Sequence, residues 1–231
     1  MKNILIIGGS YGIGFSIAKE IQNSHNVYVA SRTENNLSEL NVTHIPFDVM
    51  KETLNCSELP DVIDGFVYCP GSINLRPFKG IKPESFEEDY QINFLGIIKV
   101  IQTILPRLNA SNQASIVLFS SVAATIGMPF HTSIAASKGA VEGFTKAFAA
   151  EYAPKFRVNA IAPSLTATPL ADKFLNTESK QEKAAERNPM KRYGTAEDMA
   201  KIALFLLSDA SSWMTGQIIH VDGGMSSIVT N

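Results

Sequence analysis

The chain has 231 residues, of which 45% are hydrophobic and 18% charged. That length suits one α/β domain, and the apolar share supports a sizeable core and argues against disorder. A formal net charge of −2 gives no electrostatic footprint for nucleic acid or an anionic membrane surface. Two cysteines, Cys56 and Cys69, make neither a disulfide framework nor a zinc cluster, so no metal site is expected and a reducing cytoplasm fits.

Apolar runs of strand length alternate with amphipathic segments of helix length. The first run, Ile4–Ile7, lies between Met1-Lys2-Asn3 and Gly8-Gly9 and is too short for a signal sequence. A helix is predicted over Ile13–Gln22, then strands at Val27–Ala30, His44–Phe47 and Gly65–Tyr68. Residues 48–63 leave room for a short crossover only, with any helix reduced to a turn or two. Pro83–Leu108 reads as one long helix and Ser115–Ser120 as the fifth strand. No charge falls between Arg107 and Lys138. That stretch is long enough to span a bilayer, but Asn109, Gln113, Ser120, Ser121, Pro129 and His131 would be costly in hydrocarbon. It is read as a buried strand followed by an active-site loop.

Further helices are predicted at Thr132–Tyr152 and Ala196–Leu207, and further strands at Arg157–Ile161 and Gln217–Val221. Residues 170–192, rich in Lys, Glu, Asn and Ser, form either a solvated helix pair or a lid over a substrate site, with 165–192 shaping the pocket. Strands that are apolar throughout, rather than alternating, indicate burial on both faces and hence a parallel sheet covered by helices. The order predicts a doubly wound α/β fold, as one domain over residues 1–231.

Between the first strand and the first helix stands Gly8-Gly9-Ser10-Tyr11-Gly12-Ile13-Gly14. Glycines at 8, 12 and 14 suit a tight turn, close approach of the backbone to a pyrophosphate, and tight packing of helix on strand. The helix N-terminus offers free N–H groups and the positive end of the helix dipole to the anion. About 20 residues further on, where a carboxylate would hold the adenosine ribose of NAD, the second strand ends in Ser31-Arg32. An arginine pairs with a 2′-phosphate that a carboxylate would repel, so NADP(H) is expected over NAD(H). The alternative is a solvated Arg32 with Glu34 serving the ribose.

These features, with Asp48-Val49, Asn93, Ser120-Ser121-Val122, Ser137-Lys138, Arg157-Val158-Asn159-Ala160-Ile161-Ala162-Pro163, Thr168 and Val221-Asp222-Gly223-Gly224, resemble the short-chain dehydrogenase/reductase family over essentially the whole chain. The resemblance implies a Rossmann-type parallel sheet of about seven strands, a small-molecule substrate, and a homo-oligomer, either dimer or tetramer. It implies that Gly8, Ser10, Tyr11, Gly12, Ile13, Gly14, Arg32, Asp48, Gly71, Lys138 and Thr168 line the cofactor. It also implies that Asn93, Ser121 and Lys138 are catalytic positions, with Ser120 the alternative serine.

In that family a hydride passes between nicotinamide and a carbonyl or alcohol carbon, while a tyrosine moves the proton on oxygen. A free phenol titrates near ~10, and a neighbouring lysine ammonium favours its ionised form. The tyrosine lies four residues before the lysine. Here that slot holds Ile134, which has no proton to give. General acid–base transfer is worth ~10²–10⁴-fold, so carbonyl reduction is expected to be weakened while cofactor binding survives. Three readings follow. The first keeps carbonyl/alcohol chemistry with the proton supplied by water or by His131. The second reduces a conjugated C=C bond, since in enoyl reductases of the superfamily the tyrosine sits seven before the lysine, the His131 position. The third is a dinucleotide-binding sensor or partner subunit without efficient turnover. His131 also reads simply as a helix-start residue.

Other departures bear on nicotinamide placement rather than fold. The family's Asn-Asn-Ala-Gly appears as Tyr68-Cys69-Pro70-Gly71, where Pro70 removes a backbone donor, and its Pro-Gly as Pro163-Ser164. Cys69, with no basic neighbour in sequence, reads as a structural thiol.

Overall fold

In the computed structural model, which describes residues 1–229, seven parallel strands form one central sheet. They are β1 (Asn3–Ile7), β2 (Asn26–Ser31), β3 (Thr43–Pro46), β4 (Gly65–Tyr68), β5 (Ala114–Phe119), β6 (Phe156–Pro163) and, last in the chain, β9 (Ile218–Val221). Their order across the sheet is β3-β2-β1-β4-β5-β6-β9. Strands β4 and β5 are buried at every residue, which is why their sequences show no alternation of polar and apolar residues. Two further segments of two residues each, β7 (Thr166–Ala167) and β8 (Gly194–Thr195), pair with each other apart from the main sheet.

Helices cover both faces. On one, α1 (Gly12–Ile21) and α7 (Ala196–Leu207) pack Ile17, Ala18, Ile21, Met199, Ala203 and Leu206 against Ile4, Ile6 and Val117. On the other, α3 (Gly96–Ala110) and α4 (Thr132–Tyr152) pack Ile97, Val100, Ile104, Val141 and Phe148 against Leu5, Phe66 and Ile116. The buried Arg157 guanidinium donates to the Ser211 Oγ at 2.8 Å and to the Leu206 carbonyl at 2.9 Å, tying β6 to the end of α7.

The strand order turns back at β1, with β2 on one side and β4 on the other. In parallel sheets of this kind a crevice opens beyond the carboxyl ends of the strands at that point. Ile7 ends β1, opposite Ala30 of β2 and Tyr68 of β4, and the glycine turn follows directly.

Two details differ from the expectations, and a third agrees with them. The segment Pro83–Leu108 is not one uniform helix: α2 (Pro83–Tyr90) passes through a π-helical turn at Gln91–Leu95 before α3 begins. Residues 48–63 contain turns and no helix; Leu54, Leu59 and Ile63 anchor the crossover by burial instead. Residues 170–192 hold a helix pair, α5 (Asp172–Leu175) and α6 (Glu178–Glu186), and α6 buries no residue. Among the described residues, no helix is long and apolar enough to cross a membrane.

Helix α7 starts with a capping box. The Thr195 side chain accepts from the Asp198 N–H, and the Asp198 carboxylate accepts from the Thr195 N–H at 2.9 Å. Replacing Thr195 by alanine is expected to lower unfolding stability by about 1 kcal/mol, measured as a reduced urea midpoint at unchanged slope.

Candidate active site

Two adjoining cavities open at the crevice. The first is lined by the turn after β1, the end of β2 and the segments after β3 and β4: Gly8, Ser10, Tyr11, Gly12, Ile13, Gly14, Arg32, Asp48, Gly71 and Thr168 all face it. The second, of about 480 Å³, is lined by Asn93, Ser120, Ser121, His131, Ile134, Lys138 and the α5–α6 segment, among others. Ile13, Cys69, Pro70, Gly71, Thr168 and Leu170 belong to both walls. Every site residue named from the sequence thus borders one cavity or both.

The turn has the geometry of an anion cradle. Gly12 adopts φ +61°, in the left-handed region that favours glycine. At Gly14 a Cβ would come within 2.5 Å of the Gly8 carbonyl oxygen, so only glycine lets α1 approach β1 this closely. Helix α1 has no side-chain cap and no acidic residue in its first turn, so its leading N–H groups are not taken by a side chain. These features fit a bound dinucleotide pyrophosphate. At the far end, Arg32 donates to the Tyr11 hydroxyl at 3.3 Å, and Ser10 and Thr33 hydroxyls meet at 3.3 Å. Glu34 does not line the cleft.

Lys138 lies at the back of the second cavity, 8% exposed. Its Nζ donates to the Phe119 carbonyl at 2.8 Å and has no other protein partner among the described residues. Burial lowers its pKa from the ordinary lysine value to about 8, against the opposing pull of Cys69 and Asp89. A Cβ at Gly71 would stand 3.9 Å from this amine and 3.0 Å from the Asn93 Oδ1.

The two serines are not equivalent. Ser120 Oγ donates to the Glu142 carboxylate at 2.7 Å and is buried. Ser121 Oγ accepts from the Ala123 N–H at 3.2 Å, which leaves its own proton to donate. Ile134, one turn before Lys138, is 5% exposed and contributes hydrocarbon to the wall. His131 is the residue just before α4; its Nδ1 lies 2.7 Å from the Pro129 carbonyl, an acceptor only, so Nδ1 carries a proton and Nε2 is left open. Cys69 is partly buried, and desolvation pushes its thiol up to about 12, more than the Lys138 ammonium lowers it. No thiolate nucleophile arises there at neutral pH.

One group escaped the sequence reading. Asp89 on α2 is completely buried and accepts from the Ser72 hydroxyl, from Asn74 Nδ2 at 2.8 Å and from Ser133 Oγ at 2.6 Å. Asn93, within the π-helical turn, donates through Nδ2 to the Asp89 carbonyl and to Ser72 Oγ, both at 2.8 Å. Asp89 therefore joins the loop after β4 to the first turn of α4. Its only sequence signal was the spacing Asp89-x-x-x-Asn93, one helical turn.

A seven-stranded parallel sheet, an uncapped glycine turn at its reversal point and a buried lysine beside the cleft define a dinucleotide-binding protein of Rossmann type. Comparison with known proteins narrows the class. A family model described as Enoyl-(Acyl carrier protein) reductase matches residues 8–226. The chain is 34% identical over 244 residues to a tropinone reductase homolog of Datura stramonium, covering 95% of this chain and 90% of that one. It is 40% identical over 146 residues to the 3-oxoacyl-[acyl-carrier-protein] reductase FabG of Thermotoga maritima, an alignment spanning 63% of this chain and 58% of that one. The gluconate 5-dehydrogenase of Burkholderia cenocepacia, solved in complex with NADP and tartrate, superposes with a TM-score of 0.89 at 25% identity, over 99% of this chain and 96% of that one. The chain belongs to the short-chain dehydrogenase/reductase family of oxidoreductases.

The buried Lys138 has a consequence for stability. Below pH 8 the folded chain carries a desolvated ammonium, whereas the unfolded amine stays protonated up to its ordinary value of 10.5. Between these limits the unfolded state binds more protons, so stability rises with pH. Urea unfolding from pH 8 to 10.5 is expected to show the wild type gaining up to about 3 kcal/mol relative to Lys138→Met.

Proposed function

We propose that the protein is an NADP(H)-dependent oxidoreductase acting on a small carbonyl/alcohol substrate, with proton transfer weakened by Ile134. The carrying observation is the pair of contiguous cavities, one a glycine cradle and the other centred on Lys138 and Ser121, meeting at Gly71 and Thr168. The nicotinamide supplies or accepts the hydride when bound. The α1 N-terminus and Gly12 hold the pyrophosphate, and Asp48 faces the adenosine end. NADP preference is supported by Arg32 at the end of the cleft, by the absence of Glu34 from its lining, and by NADP in the related dehydrogenase complex.

At the reacting end, Ser121 donates its hydroxyl proton in a hydrogen bond to the substrate oxygen, and the Lys138 ammonium stabilises negative charge that develops there. Asn93 and Asp89 fix the loop that carries Gly71 and Ser72. Neither Ser121 nor Lys138 replaces the missing phenol as an acid tuned between them, so the proton comes from water or, through Nε2, from His131 in its imidazolium form. Assembly as a dimer or tetramer is part of the proposal and is read by sedimentation velocity.

A second reading, reduction of a conjugated C=C bond, is favoured by one observation: His131 borders the cavity with Nε2 open. Enone turnover that is lost in His131→Ala would favour it over carbonyl reduction.

Fluorescence titration is expected to show NADPH binding more tightly than NADH. Arg32→Ala should weaken NADPH about tenfold, the loss of one charge-assisted contact, and leave NADH unchanged; tighter NADH binding by the wild type would defeat the assignment. With NADPH bound, Ile134→Tyr is expected to raise carbonyl reduction by ~10²–10⁴-fold over the wild type, followed as cofactor oxidation at 340 nm.

A further inference from the structure

The second cavity has an uneven charge. Five cations border it, Lys138 at the back and Lys173, Lys180, Lys183 and Arg187 along the α5–α6 side, and no aspartate or glutamate does. The imbalance is built into α6. At about 100° per residue, Lys180, Lys183 and Arg187, the last just past the helix end, fall within about 60° of arc. Glu178, Glu182 and Glu186 fall within about 80° on the other side and do not border the cavity. A solvated helix gains from interleaved charges of opposite sign at i,i+4; this one separates them about its axis.

Two of the four rim cations are already engaged. Lys173 Nζ donates to the Ile73 carbonyl at 2.7 Å, and Lys180 Nζ to the Lys173 carbonyl and the Asn176 Oδ1, both at 2.8 Å. Lys183 and Arg187 have no side-chain hydrogen bond among the described residues. The ion pairs there are Lys2–Asp209, Lys51–Asp48 and Arg192–Asp198, none of them at the rim. The cofactor's phosphates do not account for these two cations, since neither borders the dinucleotide cleft. Between the rim and Lys138 the wall is largely apolar, with Met128, Leu170 and Phe174.

We infer that the cavity takes a substrate with an apolar body and an anionic end group, a carboxylate or phosphate, seated against Lys183 and Arg187. The inference rests on the reading of this cavity as the substrate site and adds the chemical class of its occupant. The reacting carbon lies at the Lys138 end and the anion at the mouth, so the two cations select and orient the substrate without touching the reacting atoms.

The test uses two dyes that share one apolar body: 8-anilinonaphthalene-1-sulfonate, and N-phenyl-1-naphthylamine, which lacks the sulfonate. Each is titrated into the cofactor-free wild type, into Lys183→Ala/Arg187→Ala, and into Glu178→Ala/Glu182→Ala, whose changes fall on the opposite face of α6. Because α6 buries no residue, neither double variant removes core packing. The sulfonate dye is expected to bind the cation variant about tenfold more weakly, with each exposed charge contributing roughly threefold. It should also bind the wild type more weakly at about 0.5 M salt, where screening falls below about 5 Å. The neutral dye should bind all three proteins alike, and the glutamate variant should retain full affinity for the sulfonate dye. Equal sulfonate affinity in the wild type and the cation variant would overturn the inference; an acidic protein docking on the rim, rather than a small anion inside it, predicts that result. An equal loss of both dyes would also overturn it, since the cavity would then have changed shape. NADPH is titrated in parallel: failure of the wild type to bind it would strike the cofactor reading, while the dye comparison still decides the anion site.

Discussion

Gly14 sits so close to Gly8 that a methyl group on it would stand 2.5 Å from the Gly8 carbonyl oxygen. That single approach sets where α1 begins relative to β1. It aims the first N–H groups of the helix at the crevice, and it leaves them without a side-chain cap. On the far wall, the Pro70 ring lies 3.0 Å from where a Cβ on Gly8 would be, so the loop after β4 closes on the same turn. Strand order provides a crevice in many α/β proteins. Here the bare turn makes it one that an anion can enter from the backbone side.

The proposed function draws on different residues for its different parts. In it, holding a dinucleotide would rest on the turn, on Arg32 and on the cleft wall. Moving a proton would rest on what stands on α4 one turn before Lys138, and that is a hydrocarbon. Substrate selection would rest on the α5–α6 segment, whose residues border the second cavity and, except where Leu170 leads into it, not the first.

How much of this was readable in the sequence follows from what each residue must satisfy. The buried strands were legible because burial on both faces removes the alternation of polar and apolar residues, as in Ala114–Phe119, where the single polar side chain, Ser115, donates to the Leu206 carbonyl. The glycine turn was legible because sterics demand the residue type. The π-helical turn at Gln91–Leu95 was not, since five residues are too few for a helical period to show a widened turn. The paired segments Thr166–Ala167 and Gly194–Thr195 are shorter than any periodicity. Asp89 was missed because an acid in a predicted helix reads as part of its solvated face, and only the three-dimensional path brings Ser72, Asn74 and Ser133 around it. The different hydrogen bonding of Ser120 and Ser121 comes from Glu142, which engages Ser120 from 22 residues away in the chain.

Asp89 also connects pieces of the molecule that share no strand or helix. Its carboxyl group gathers a loop, a helix and the first turn of a second helix, and it does so out of reach of solvent. Loops near a reacting centre are ordinarily the softest part of a fold. Here the segment from Ser72 to Asn74 is clamped from behind, so the floor of the cavity is stiff while its mouth, on the unburied α6, is free to vary in sequence without disturbing the core.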